Sequence, residues 1–340
     1  MKIILIRFSS LGDCILLCPL AAQLKSHGAT EATVITKKAY LDVFASTTGV
    51  DRVVGFDPSG GLRGLWRIAE GHRNQGYRVI DAHNSWRSRV LSRMLGGAAS
   101  RLRKNYRQRM GLIVLKRPVE LPTILEQYAA LTTPLGVSVG RLLPGGLEIP
   151  QAHEKAATAR IPRDGKPFVA VAPGAKWPEK RWPLECYSDL AHRLSREHGY
   201  GILLLGDDND REAAAAVAGH VRDDCVDITG RAGLVEGAAH LKRCAGFVGN
   251  DSGLAHLAEA VGVPAAVLFG PTVESFGYYP SMPGSKTIER SLPCRPCSRN
   301  GSRPCPKRTR ECLASVDVDV VENAVLDMLS NRGPRSYVVA

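Results

Sequence analysis

The sequence predicts an α/β protein of two doubly wound Rossmann-like domains in tandem, on three observations. The chain has 340 residues, 44% of them hydrophobic, more than one core usually serves, so two domains of about 150 residues each are expected. Short β-branched runs alternate with stretches of helical apolar period, which implies parallel sheets covered on both faces. The alternation stops at a break containing several prolines and glycines, then restarts.

In chain order, the run 2–6 reads as a strand, 7–13 as a polar loop and 14–27 as an apolar-periodic helix. Strands over 32–36, 52–56 and 78–82 follow, alternating with helices over 40–47, 62–75 and 85–95. Residues 136–167 have little periodicity and read as an interdomain linker. The alternation resumes with strands over 168–172, 201–205, 225–227, 246–248 and 265–269, separated by helices over 184–198, 210–218, 234–243 and 252–261. A last apolar-periodic helix, 320–330, closes the chain. The domains expected are therefore 1–160 and 161–319, with 320–340 a helix and tail. Open parallel sheets bind ligands beyond the carboxyl ends of their strands, so the chemistry is expected in loops that follow strands, facing across a cleft.

Bulk properties exclude some classes. The apolar runs 3–6, 202–205 and 265–269 are far shorter than the roughly 20 residues that cross a bilayer. Met1-Lys2 leads directly into a strand-like run without the profile of a signal peptide, so a cytoplasmic protein is expected. A net charge of +12 favours an anionic partner. From Trp86 to Arg117 there is no Asp or Glu, while Arg87, Arg89, Arg93, Arg101, Arg103, Lys104, Arg107, Arg109, Lys116 and Arg117 all fall there. Nine cysteines in a reducing compartment should mostly be thiols. Cys294, Cys297, Cys305 and Cys312 cluster in a Pro/Arg/Ser-rich loop with little apolar material; four thiolates there can clip a structural zinc ion, and free thiols or a disulfide are the alternatives.

Three segments carry chemistry. Ser9-Ser10-Leu11-Gly12-Asp13 follows the first strand and opens a helix. Gly12 lets a ligand approach the backbone, hydroxyls and helix amides can hold an anion, and Asp13 is the carboxylate available for proton abstraction, with a helix cap as the bland alternative. The segment 173–183, PGAKWPEKRWP, fixes a loop that presents Lys176, Lys180 and Arg181 to an anion with little entropy loss. In 249–256, GNDSGLAH, the amides of Ser252 and Gly253 at a helix start can face a phosphate, and His256 lies one turn further on the same face. The turn Phe269-Gly270-Pro271-Thr272 can line the same pocket. A G-x-G-x-x-G fingerprint is absent, which disfavours an NAD-dependent oxidoreductase.

Together, SSLGD, the Lys-Arg-Trp-Pro loop and GNDSGLAHLA followed by LFGPT resemble the ADP-heptose:lipopolysaccharide heptosyltransferases in order and spacing, from Met1 to about Val320. The resemblance implies a GT-B fold whose final helix returns to the N-terminal domain, and an inverting, metal-independent transfer of heptose from ADP-heptose to the lipopolysaccharide inner core. It makes Asp13 the catalytic base, with Ser10 and Gly12 shaping its pocket. Lys180 would neutralise the diphosphate, the Ser252 and Gly253 amides would bind it, Asp251 would hold sugar hydroxyls, His256 would lie beside the phosphates and Asp210 would meet the ribose. An anionic lipid-linked acceptor gives the basic stretch a role, with Asp81, His83, Asn84, Ser85, Arg87 and Arg103 as candidate contacts. It also places the enzyme at the inner face of the inner membrane. No catalytic cofactor is required, and no RNP-like aromatic pattern supports nucleic acid as a partner. A transferase using another nucleotide sugar and a noncatalytic nucleotide-sugar binder are the alternatives. Ala175-Lys176 stand where some members have paired hydroxyl residues.

Overall fold

The computed structural model describes residues 1–161, 165–331 and 335–339. Positions 162–164 of the expected linker, and 332–334 and 340 of the expected tail, lie outside the described residues. Two compact units form: Met1–Lys104 with Pro122–Glu148, and Asn105–Leu121 with Ile149–Ala340.

The first unit is built on five parallel strands, β1 (Lys2–Ile6), β2 (Glu31–Lys37), β3 (Arg52–Phe56), β4 (Tyr77–Asp81) and β5 (Ala98–Arg101), in the order β3-β2-β1-β4-β5. Residues Ile3 to Ile6 of β1 are wholly buried, as a central strand covered on both faces requires. The helices are α1 (Leu11–Ile15), α2 (Cys18–Ser26), α3 (Leu41–Ala45), α4 (Gly61–Glu70), α5 (Trp86–Met94), then α6 (Tyr106–Leu115), which belongs to the second unit, and α7 (Ile124–Ala129). The single helix expected over 14–27 is two, because Pro19 sits in the first turn of α2 and has no N–H to extend the ladder back.

The second unit holds seven parallel strands: β6 (Phe168–Ala172), β7 (Gly201–Leu204), β8 (Cys225–Asp227), β9 (Gly246–Asn250), β10 (Ala265–Phe269), β11 (Lys286–Arg290) and β12 (Ser336–Val339). Their order is β12-β11-β10-β9-β6-β7-β8. Its helices are α8 (Gln151–Arg160), α9 (Leu184–Arg196), α10 (Arg211–Val221), α11 (Leu234–Leu241), α12 (Gly253–Ala260), α13 (Glu311–Ala314) and α14 (Val318–Leu329).

The units divide at 148/149 where the sequence suggests 160/161. Helix α8 lies inside the expected linker but packs on α11, with Glu154 paired to Lys242 at 2.7 Å and the Ile161 carbonyl accepting from Arg243. Only Ala157 of α8 is buried, so it shows little apolar period. The final helix α14 packs on α9 and on β9, β10 and β11 through Val321, Ala324, Val325 and Met328, so its place is in the second unit, not the first.

Helix α12 carries a buried acid near its C-terminal end. Glu259 is 1% exposed, and its Oε1 accepts from the Met282 amide at 2.7 Å and the Ser285 hydroxyl at 2.8 Å. Burial pushes its carboxyl up to about 7 from 4.5, against the pull of those donors. A raised carboxyl binds its proton more tightly in the folded state, so the group leaves stability untouched below about pH 4.5 and erodes it as pH rises through 7. Melting of E259Q against wild type from pH 5 to 8 should show the variant gaining on wild type with pH, by up to about 3 kcal/mol. A gap that stays constant with pH would refute the assignment.

Candidate functional site

In the first unit the chain winds away in opposite directions from β1 and β4, so the loops that follow these neighbours flank the topological switch point. Arg7 and Asp13 meet there. Asp13 is the third residue of α1, and its Oδ2 accepts from the Ser10 amide at 3.0 Å and the Ser10 hydroxyl at 2.7 Å. The same oxygen lies 2.6 Å from the Arg7 guanidinium, with both side chains nearly buried. Arg7 also donates to the Ala82 carbonyl at 2.5 Å, tying the β1 loop to the β4 loop. From below, the Tyr128 hydroxyl donates to the Asp13 carbonyl at 3.1 Å. Asp13 therefore caps its helix and is also held in one orientation by a guanidinium. Ser10 is exposed beside it and Gly12 is buried.

His83 follows β4 and, with Phe8, Ser9, Lys37, Trp86 and Arg87, lines a shallow cavity of about 170 Å³. Burial, then the charges of Arg7 and Lys104, push its imidazole down to about 3, so it is neutral at physiological pH and can both donate and accept. Asp81 is not on that surface. It is wholly buried; Oδ1 accepts from the amides of His83 (3.1 Å) and Asn84 (2.7 Å), and Oδ2 from the Ser88 hydroxyl (3.1 Å) and Arg101 (3.3 Å). Instead of contacting an acceptor directly, Asp81 shapes the loop that carries His83. Ser85 caps α5, and Asn84 is engaged by Arg89 at 2.7 Å. Arg87 is half-buried with its guanidinium over the Trp86 ring, and Arg103 is exposed.

The basic stretch is divided by the fold. Arg101 serves Asp81. In the second unit Arg109 donates to the Phe276 carbonyl at 3.1 Å and stacks on Tyr278, while Lys116 donates to the carbonyls of Cys294 (2.8 Å) and Pro296 (2.7 Å). Those side chains are spent on structure.

The second unit gathers the loops after β6, β7, β9 and β10. Lys180 Nζ lies 2.5 Å from Asp251 Oδ2 and donates to the Asp251 carbonyl at 3.1 Å; the Thr272 hydroxyl donates to the same Oδ2 at 2.7 Å. Burial alone would raise the Asp251 carboxyl, but Lys180, Thr272 and His256 overcome it and hold the group below its usual range. Ser252 is the N-cap of α12 and Gly253 its first residue, so their amides point out of the helix start. The buried Ser252 hydroxyl has no hydrogen-bond partner among the described residues. His256 is buried one turn along α12. Lys176 is exposed, its ammonium over the Trp177 ring at 5.4 Å, and is not part of the Lys180 cluster.

Asp210 is buried after β7; it accepts from the Asp207 amide at 3.1 Å and lies 3.6 Å from Arg181. Burial raises its carboxyl. A Cβ on Gly174 would come within 2.1 Å of that carboxylate, so the glycine is what lets Asp210 sit under the β6 loop.

Sequence reasoning missed the residues that assemble this cluster. Asn250, wholly buried, accepts from the Trp182 amide at 3.0 Å and donates to the carbonyls of Pro173 (3.0 Å) and Gly174 (3.1 Å). Arg295, in the cysteine loop, donates to the carbonyls of Gly270 (2.6 Å), Phe269 (3.1 Å) and Thr272 (2.9 Å). A polar residue ending an apolar strand was the signal for Asn250; nothing in the pattern around Arg295 marks it.

Cys294, Cys297, Cys305 and Cys312 form no disulfide. Burial pushes Cys297 up and Cys312 up to about 11, and the neighbouring thiols add to both shifts. Among the described residues the group whose ligand atoms all lie within 4.8 Å of one another is Glu197, His198 and Glu322, and no three of the four sulfurs meet that spacing. As placed, they do not close around an ion.

A family model described as glycosyltransferase family 9 (heptosyltransferase) matches residues 65–307, which include the second unit's loops and begin after Asp13. The chain is 37% identical over 132 residues to lipooligosaccharide heptosyltransferase 2 of Haemophilus influenzae, covering 37% of each chain, so that match spans well under half of the relative's length. It is 27% identical over 328 residues to lipopolysaccharide heptosyltransferase 1 of Pseudomonas aeruginosa, covering 87% of this chain and 86% of that one. The solved structure of E. coli ADP-heptose lipopolysaccharide heptosyltransferase II shares the fold, with a TM-score of 0.72 at 21% identity over 97% of this chain and 99% of that one. The chain belongs to glycosyltransferase family 9, the heptosyltransferase family.

Proposed function

We propose that this chain transfers heptose from ADP-heptose to the inner core of lipopolysaccharide, with inversion and without a catalytic metal. The observation that carries the reading is the second unit's anion site: a lysine, a helix start and an orphan serine hydroxyl gathered at the ends of β6 and β9. The names of the relatives supply the sugar and the acceptor class.

In this reading the second unit binds the nucleotide sugar and the first binds the acceptor. Asp13 takes the proton of the acceptor hydroxyl as that oxygen attacks the anomeric carbon; the bond from that carbon to the ADP oxygen breaks, and its electron pair leaves on the diphosphate. Lys180 and the amides of Ser252 and Gly253 stabilise the charge that builds there. Lys180 must then share its ammonium between Asp251 and phosphate, which turns Asp251 toward sugar hydroxyls. His256 stands beside the phosphates and Asp210 meets the ribose. Ser10 and Gly12 shape the pocket of the base, while the neutral His83, Arg87 and Arg103 meet the anionic acceptor. No helix among the described residues is long and apolar enough to cross a membrane, and the enzyme is proposed to work in the cytoplasm at the inner face of the inner membrane, where a lipid-linked acceptor resides.

Asp13→Asn should leave ADP-heptose binding intact and lower transfer by at least about two orders of magnitude, the general-base range. Mass analysis of a panel of truncated core acceptors reads this out, and near-full turnover of the variant would remove the base assignment. Lys180→Ala should weaken ADP binding about tenfold or more, as loss of a charge-assisted bond predicts; calorimetry giving an unchanged affinity would take Lys180 off the diphosphate. A structural zinc at the four clustered cysteines rests on the loop's composition, and the sulfur spacing opposes it. Stoichiometric metal in the purified protein, with thiols protected from alkylation, would establish the clip; ready alkylation of all four in the native protein would retire it.

A further inference from the structure

Helix α6 has two faces of different character. Arg109, Leu112 and Ile113 turn inward onto Phe276 and Tyr278. On the far side Met110, Val114 and Leu115 are 45%, 62% and 58% exposed, with Tyr106 at the flank at 48%. These side chains form a contiguous outward surface on a helix whose inward face is already satisfied.

The charged side chains of the helix and of the cysteine loop beside it have one sign. The cysteine loop runs along the helix: Lys116, just past its end, holds the carbonyls of Cys294 and Pro296, and Arg299 stacks over Tyr106 at its start. Neither the stretch 86–117 nor the stretch 290–310 contains an Asp or Glu. Arg107, Arg117 and Arg299 are exposed at the border. Apolar side chains framed by cations suit a surface that is apolar inside and anionic at its rim. A second copy of the chain fits poorly, because a two-fold contact would set Arg107 and Arg299 against their own kind.

We propose that the outward face of α6 and the adjoining cysteine loop form the docking surface of this protein for an anionic lipid bilayer. The inference rests on the proposed function for its biological setting, and names the surface that would bring the enzyme to a lipid-linked acceptor. The apolar residues enter the headgroup boundary while the arginines meet phosphate groups above it.

The test is co-sedimentation of the full chain with phosphatidylcholine vesicles, with and without phosphatidylglycerol, at low and high salt. Wild type should partition onto the anionic vesicles about tenfold or more over the neutral ones, and salt should reduce the difference. Val114→Asp with Leu115→Asp should reduce partitioning about tenfold or more. That variant should keep its melting temperature and its transfer to a lipid-free core oligosaccharide. Failure of wild type to bind either vesicle, or undiminished binding by the variant, overturns the proposal. So does a concentration-dependent dimer that the variant abolishes while vesicles are ignored, which would assign the face to a second copy. Vesicle binding in a protein that transfers nothing to any acceptor leaves the docking surface standing and sinks the heptosyltransferase reading instead.

Discussion

A carboxylate largely withdrawn from water beyond the end of a parallel strand cannot stand alone, and in both units that requirement organises the loops. Taking one unpaired charge out of water costs several kcal/mol or more, so the fold must deliver a counter-charge and donors to the same place. The first unit meets this with Arg7 and Ser10 on Asp13, the second with Lys180 and Thr272 on Asp251. Each pair joins a residue that follows a strand to a loop or helix start nearby, so satisfying the charge also fixes the backbone around the site.

Pairing has a further consequence for chemistry. A buried ion pair contributes little net stability against its desolvation, but breaking it by removing one partner is costly. In the proposed reading, an incoming phosphate removes neither partner. It adds acceptors around an ammonium that has three protons to give, and the helix start of α12 adds amides from another side. The pair therefore holds Lys180 in place while leaving it one N–H to offer, which is the pre-organisation that electrostatic stabilisation of a leaving group needs.

Much of this was legible in the sequence, and the parts that were not share a cause. Buried strands such as β1 and β10 declare themselves by continuous apolar runs, and the loops after β1, β6 and β9 by glycine, proline and helix-start residues. Helix α8 was lost because it packs through a single small residue, and α6 because apolar residues lie all round it, inward ones on Phe276 and outward ones in solvent. Asp81 looked like a ligand contact because its position after a strand is visible, whereas its partners are not: one comes from Arg101, twenty residues on. The arginine stretch misled in the same way. Counting charges gives a field, but Arg101, Arg109 and Lys116 are consumed by carbonyls and carboxylates that only the fold brings near.

The cysteine loop shows how such partners can replace a core. It has little apolar material, and in its place stands the guanidinium of Arg295, which is 5% exposed and donates to the carbonyls of Phe269, Gly270, Arg290 and Thr272 while pairing with Glu289 at 2.8 Å. Five contacts on one planar cation satisfy backbone groups that a loop of this composition would otherwise leave to water. Because one of them is Thr272, the order in the loop is passed directly to Asp251 and from there to Lys180. At the other end Gly301, with φ of 83°, presses against Lys180 so closely that a Cβ would lie 2.7 Å from its Cγ, and Arg310 holds the Pro178 carbonyl at 3.2 Å. The loop thus braces the lysine from behind and its counter-ion from the side, so its rigidity sets where the Lys180–Asp251 pair stands.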